Sequence, residues 1–267
     1  MATYLDGILA HHRARAAADS RTRAELEARA ARRGPRRDFL GALGGSSPRQ
    51  RPAVIAEVKR RSPSKGPLAV GLDAAVLAKA YEAGGAAALS VLTDGPHFGG
   101  SSEDLVTARA ATGLPVLRKD FTVADADVFD ACAMGADAVL LIVAALSDDE
   151  LKRFIALASE LGLAALVEVH DEAELTRALA AGAVLVGVNQ RDLHTFSVDR
   201  ARAERVGAAV PAGIVKVAES GITSAGDVAR LAQVGFDAVL IGEALVRAPD
   251  ARAALEDLRP PRPAQAG

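Results

Sequence analysis

Charged and amide side chains stand at the ends of short apolar runs all along this chain: Glu57 and Lys59, Lys119, Glu168, Asn189 with Arg191, Glu219, and Glu243. Lysines and carboxylates that meet at one place are candidate acid–base pairs. Mutual proximity and partial burial can move their pKa values toward neutrality. The first pair is the most telling. Ala53-Val54-Ile55-Ala56 is too short for a helix and rich in β-branched residues, so it reads as a buried strand. Side chains alternate faces along a strand, which puts Glu57 and Lys59 on one side and Val58 on the other. Two charges at a buried strand's end are costly unless paired or used. A loop follows at once, Arg60-Arg61-Ser62-Pro63-Ser64-Lys65-Gly66-Pro67, whose cations and hydroxyls suit an anionic ligand.

The elements that must position these groups repeat regularly from Ala53 onward. Strands are expected over Ala53–Lys59, Ala87–Leu92, Val116–Lys119, Ala138–Val143, Ala164–Val169, Val184–Val188, Ile214–Ala218 and Ala238–Ile241. Between them fall amphipathic helices: Asp73–Ala83, Ser102–Ala111, Ala124–Met134, Ser147–Leu161, Asp171–Ala180, Asp199–Ala208, Ser224–Val234 and Asp250–Leu258. Asp73, Ser147, Asp171, Asp199 and Ser224 sit where N-caps belong. Glycines after the helices, as in Gly84-Gly85, Gly135, Gly162, Gly182 and Gly235, mark left-handed C-caps. Eight β-α units imply an α/β protein built as a closed (β/α)8 TIM barrel over residues 51–259; an open doubly wound sheet has no reason to stop at eight. Residues 1–50 read as an N-terminal helical extension and connector, and 260–267 as a Pro-rich tail. In the extension, Tyr4, Leu5, Ile8 and Leu9 share one helical face. Thr22 to Arg33 reads as a charged helix with Leu26 on its apolar side, Phe39–Leu43 as a short apolar piece, and Gly44–Pro48 as a flexible loop.

Bulk properties narrow the classes. The 267 residues are 50% hydrophobic, so a full core is available, and with no Trp and only 3% aromatics it must rest on Ala, Val, Leu and Ile. A net charge of −2 gives no case for nucleic acid or an anionic membrane. No stretch is apolar enough to span a bilayer, and the N-terminus lacks the apolar centre of a signal peptide. Its Arg/Ala bias resembles a transit peptide weakly; an amphipathic helix fits better. The single cysteine, Cys132, excludes an intrachain disulfide and fits a cytoplasmic setting. Its place on an expected helix makes it a core residue rather than a nucleophile. The histidines show no metal-ligand spacing: His11 and His12 fall on different helix faces, and His97, His170 and His194 on separate loops, each read as solvated or as backing another residue. No metal site is expected. The N-terminal arginines, from Arg13 to Arg33, read as a solvated helix surface.

In such barrels chemistry gathers at the C-terminal strand ends, and loops seven and eight commonly hold phosphate. There stand Ser220-Gly221 and Gly242-Glu243, whose glycines allow backbone N–H groups to approach phosphate oxygens. Glu243 is awkward at such a place; its carboxylate should turn away. The rim set could instead be a satisfied ion-pair network closing the barrel mouth. That reading weakens as two lysines, several glutamates, Asn189 and Arg191 converge on one rim.

The motifs IAEVKRRSPSKGPL, SVLTDGPHFGGSSEDL, PVLRKDF, ADAVLLIVAAL, LVEVHDEAEL, GVNQRDLHTF, KVAESGI and AVLIGEALV follow in order from about Val54 to Pro249. They closely resemble the indole-3-glycerol phosphate synthase family. The resemblance implies a (β/α)8 barrel with an N-terminal helical extension that needs no cofactor. Such an enzyme closes the indole ring of 1-(2-carboxyphenylamino)-1-deoxyribulose 5-phosphate and releases CO2 and water. Lys119 is then the general acid on the substrate's carbonyl oxygen. Lys59 contacts the substrate carboxylate and assists dehydration. Glu57 and Glu168 handle protons in the later steps, and Asn189 orients Glu57 and the substrate hydroxyls. Arg191 is the neighbouring rim cation, Phe98 and Phe121 pack against the anthranilate ring, and Glu219 is a further substrate contact. Ser62, Ser220, Gly221, Gly242 and Glu243 fall where the family holds phosphate. The implied partner is this small phosphosugar–anthranilate, with other enzymes of the tryptophan pathway as conceivable partners. Two departures stand out: Glu243 replaces a small or hydroxylated residue, and Ile8 stands where some members carry an aromatic. A sister barrel, phosphoribosylanthranilate isomerase, is disfavoured because it is expected to use a cysteine–aspartate pair. A non-catalytic scaffold would have no need for the complete rim set.

Overall fold

The computed structural model describes residues 4–44, 52–63, 65–192 and 195–258. The barrel strands are β1 (Ala53–Val58), β2 (Ala88–Leu92), β3 (Val116–Lys119), β4 (Ala138–Ile142), β5 (Ala164–Val169), β6 (Leu185–Asn189), β7 (Val215–Glu219) and β8 (Ala238–Ile241). They are all parallel, and β1 pairs with both β2 (Ile55 opposite Ala88) and β8 (Ala53 opposite Ala238). The sheet therefore closes and leaves no edge unpaired, which excludes the open-sheet alternative. Each expected strand is present, with small shifts at the ends. Lys59 lies just beyond β1, whereas Asn189 and Glu219 are inside β6 and β7 because they pair in register with each other.

Local chemistry explains the helices between the strands. Asp73, Ser147, Asp171, Asp199 and Ser224 all accept hydrogen bonds from amides of the first helical turn. Gly85, Gly135, Gly162, Gly182 and Gly235 take positive φ where helices hand back to strands. Along the strands, outward residues such as Val54, Leu89 and Val139 pack beneath the helices. Inward residues such as Ile55, Leu117, Leu166 and Leu240 fill the barrel interior. The inward parity carries on up each strand to the rim.

The extension spans the barrel from mouth to base. Helix α1 (Tyr4–Ala17) buries Leu5, Ile8 and His12, while Tyr4 is 40% exposed. Burying Leu5 and Ile8 contributes about 1.5–3 kcal/mol each, which holds a helix of marginal stability in isolation. Helix α2 (Arg23–Ala30) starts at Thr22 with a capping box and buries Leu26. Beyond it, Arg33 Nη2 and the Arg37 amide both donate to Asp137 Oδ1, just before β4. Helix α3 (Phe39–Ala42) delivers Phe39 and Leu43 to the interior cluster. The N-terminal arginines are thus not simply solvated. The Arg33 side chain is only 5% exposed, and Arg15 and Arg21 pair with Asp127 and Asp130, because carboxylates of the barrel meet them. The anticipated loop over 45–48, His194 and the Pro-rich tail lie outside the described residues. Among the described residues no helix is long and apolar enough to cross a membrane.

Candidate active site

Inward parity brings Glu57, Lys59, Lys119, Glu168, Asn189 and Glu219 to one mouth. All line a cavity of about 940 Å3. Lys59 Nζ donates to Glu57 Oε1 at 2.5 Å. Lys119 Nζ lies 3.1 Å from Glu168 Oε2 and 3.3 Å from Glu219 Oε2. Asn189 Nδ2 donates to Glu168 Oε1 at 3.0 Å, so the amide steadies Glu168 and not, as expected, Glu57. The reason lies in the barrel: β6 neighbours β5, which carries Glu168, whereas β1 is across the mouth. His170 Nε2 stands 3.5 Å from the same Glu168 oxygen.

Electrostatics separates Lys119, Glu168 and Glu219 rather than drawing all three toward neutrality. Burial works against the Lys119 charge, but Glu168, Glu219 and Glu57 outweigh it and hold the ammonium above the ordinary lysine range. Burial likewise opposes ionised Glu168, yet Lys119, His170 and Asn189 keep its carboxyl below the ordinary value. Glu219 goes the other way: burial, with repulsion from Glu168 and Glu57, pushes it up to about 7 despite Lys119. Of these three, Glu219 meets the expectation of a near-neutral group. Among the described residues, Ser62 Oγ and Glu219 Oε1 are buried without a hydrogen-bond partner, a state that buried polar atoms rarely keep unless a ligand or water completes them.

Two glycines make room for this set. A Cβ at Gly187 would overlap Glu219 Oε1, and one at Gly242 would overlap Glu57 Oε1 and come within 3.0 Å of Lys59 Nζ. Gly242 has φ −122°, so the demand there is for space. At the phosphate-like end, Ser220 (φ 66°) and Gly221 (φ 70°) are consecutive left-handed residues. That conformation is unusual for serine. Gln190 Nε2 donates to the Ser220 carbonyl at 2.7 Å and ties the turn to β6. Gln190 was legible only as a polar neighbour of Asn189; its role depends on the β6–β7 pairing. Gly242, Glu243 and Arg247 line the same end, and Glu243 Oε1 lies 3.8 Å from Arg247 Nε along the helical turn.

At the other end Phe98 and Phe121 have ring centroids 6.3 Å apart, with Leu92, Leu140 and Ile142 also lining the cavity. Arg191 lies at the rim, its backbone amide donating to Asn189 Oδ1 and its guanidinium to the Phe196 carbonyl. Every proposed site residue from the sequence therefore borders this cavity. Lys65, of the cationic loop after β1, also borders it, as do Asp94, Phe196, Arg200 and Arg247, for which the sequence suggested no role. Asp94 lies two residues past the end of β2, a position that could have pointed to it.

His12 is buried rather than solvated. It stands four residues after Ile8 and seven after Leu5, on one helical face that is legible in the sequence. Its Nε2 meets Asp94 Oδ1 at 3.1 Å, and His97 Nδ1 lies 3.2 Å from the same carboxylate. Ligand atoms of these three residues lie within 4.8 Å of one another, close enough for a metal ion. The Asp94 carboxylate, however, accepts from both imidazoles and from the amides of His97 and Phe98. Hydrogen bonding accounts for the cluster without an ion.

Comparison with known proteins agrees in sequence and in fold. The family model described as indole-3-glycerol phosphate synthase matches residues 5–258. Indole-3-glycerol phosphate synthase 1 of Streptomyces coelicolor is 50% identical over 257 residues, covering 95% of this chain and 92% of the relative. The indole-3-glycerol phosphate synthase of a Nocardioides species is 58% identical over 203 residues, covering 76% of this chain and 78% of its own. Among solved structures, thiamine phosphate pyrophosphorylase of Pyrococcus furiosus superimposes with a TM-score of 0.58 at 20% identity, covering 77% of this chain and 93% of that one. That likeness concerns the barrel fold alone.

Proposed function

The chain belongs to the indole-3-glycerol phosphate synthase family, and on that premise we propose how its rim performs the reaction. The chain is a carboxy-lyase of tryptophan biosynthesis. It closes the ring of 1-(2-carboxyphenylamino)-1-deoxyribulose 5-phosphate and releases CO2 and water to give indole-3-glycerol phosphate. The observation that carries the assignment of roles is the position of Lys119. Its ammonium lies between two buried carboxylates, inside a cavity with aromatic rings at one end and the Ser220-Gly221 and Gly242-Glu243 turns at the other.

The substrate's anthranilate ring packs against Phe98 and Phe121, and its phosphate meets Ser62, Ser220, Gly221, Gly242 and the backbone amide of Glu243. Lys59, Lys119 and Arg191 give the mouth positive charge for the two anionic groups. As the ring carbon that carries the carboxylate attacks the substrate carbonyl, negative charge develops on the carbonyl oxygen, and Lys119 donates a proton to it. The three glutamates keep that lysine charged, so the donor is loaded before substrate arrives. Ring closure leaves an iminium, which accepts the electron pair of the breaking carbon–carboxylate bond as CO2 departs. Loss of water then needs an acid at the leaving hydroxyl and a base at the adjacent proton. Lys59 with Glu57, and Glu168 steadied by Asn189, are placed to share these tasks, and Glu219 contacts the substrate beside Lys119.

The isomerase reading would require a cysteine in the cavity. Cys132 is buried on the helix Asp125–Ala133 and does not border it. The test is direct. Purified protein is mixed with the carboxyphenylamino-deoxyribulose phosphate, and indole fluorescence is followed against the low background of a chain without Trp. Turnover is expected, and Ser220→Asp should raise KM at least tenfold by charge repulsion with phosphate. An unchanged KM would put the phosphate elsewhere.

A further inference from the structure

We propose that His12, on the extension helix, is a positioning residue for the aromatic end of the cavity. The proposal rests on the reading that Phe98 and Phe121 receive the anthranilate ring.

The two phenylalanines are held in the same way. Asp94 Oδ2 accepts from the amides of His97 and Phe98 at 2.9 and 3.1 Å, capping the short turn Gly95–Phe98. Asp120 Oδ1 accepts from the Phe121 amide at 2.8 Å. Each aromatic residue thus has its own amide fixed by a buried aspartate. His12 stands between the two aspartates: its Nε2 is 3.1 Å from Asp94 Oδ1 and 3.9 Å from Asp120 Oδ1. Its ring centroid is 5.3 Å from that of Phe121. One imidazole, 1% exposed, therefore touches both anchors and one of the rings they anchor.

The two anchors differ in their other partners. Asp120 Oδ2 also accepts from Arg118 and Thr93, so that carboxylate keeps a cation without His12. For Asp94, the other side-chain donor among the described residues is His97, which is partly exposed. Loss of the His12 bond therefore falls mainly on Asp94 and the turn bearing Phe98. Helix α1 remains docked through Leu5 and Ile8, each buried on the same face. The consequence is specific: His12 sets the pocket for the aryl group without touching the proton-transfer groups around Lys119.

The test compares His12→Ala, His12→Gln and wild type in the fluorescence assay. In His12→Ala, KM should rise about tenfold, the factor that loss of about 1.4 kcal/mol gives, while kcat stays within about threefold. His12→Gln can still donate an N–H toward Asp94 and should recover most of the lost affinity. Inhibition by ribulose 5-phosphate, which has the phosphate but no aryl group, should be the same in all three. Combined with Phe98→Ala, the His12→Ala effect should largely vanish, since both act on one contact. Unchanged KM in His12→Ala overturns the proposal, as does equal weakening of ribulose 5-phosphate, or full additivity with Phe98→Ala. If the alanine variant does not fold, His12→Met fills the space without donating and serves in its place. Normal KM values for both Phe98→Ala and Phe121→Ala would instead remove the underlying assignment of the ring site, a result separable from the behaviour of His12.

Discussion

Replacing Lys119 by methionine keeps most of the side-chain volume and removes one charge. In the wild type that charge lies 3.1 Å from Glu168 and 3.3 Å from Glu219, on a side chain 15% exposed. At an effective dielectric of about 20, a contact at this separation is worth about 5 kcal/mol of attraction, set against the cost of burying the ions. Removing one partner of such a buried group typically costs about 3–5 kcal/mol. The pH dependence follows from the same contacts. Burial is the largest influence on Glu168, and Lys119 is the strongest of those opposing it. Without the lysine, the folded-state pKa of Glu168 should rise above its unfolded value, and that of Glu219 should rise further. A carboxyl with a raised folded pKa favours folding at low pH, and that advantage is lost as pH rises through the folded pKa. The stability deficit of Lys119→Met should therefore be small near pH 4 and grow as pH rises through and beyond about 7. Turnover should fall by about 10^2–10^4 if Lys119 is the general acid. Denaturant unfolding at several pH values and the indole fluorescence assay measure the two effects. Turnover within tenfold of wild type, or a deficit that does not vary with pH, would refute the reasoning.

Two further variants probe the same mouth. Glu219, raised from an ordinary 4.5 to about 7 by burial and by its carboxylate neighbours, costs the fold progressively as pH climbs between those values. Glu219→Gln should gain up to about 3 kcal/mol on wild type between pH 4 and pH 8; a constant difference in unfolding free energy across that range would contradict the shift. Gly242→Ala meets no positive φ but would push a methyl group against Glu57 and Lys59, both of which can swing aside. Its Tm should therefore stay within a few degrees while kcat/KM falls at least tenfold, and full activity would mean that the position of this pair is unimportant.

The sequence by itself determined the barrel and the residues that face its mouth. Strand parity is a two-residue periodicity, so Glu57 and Lys59 had to point inward with Ile55, and Lys119 with Leu117. N-caps such as Asp73 and Ser224, and left-handed glycines such as Gly135 and Gly235, are decided by the backbone within a few residues of themselves. Such local preferences can be read without knowing what lies across space. The tertiary structure decided the pairings. Only the barrel's strand order brings Asn189 beside Glu168 and away from Glu57. Only the path of the extension carries His12 to Asp94, 82 residues away, and Arg33 to Asp137. The protonation behaviour was likewise out of reach. Whether Lys119 rises while Glu219 moves to about 7 depends on burial and on contacts near 3 Å between different strands. Coulomb energies vary too steeply with separation and with the local dielectric for a list of residue types to fix their sign.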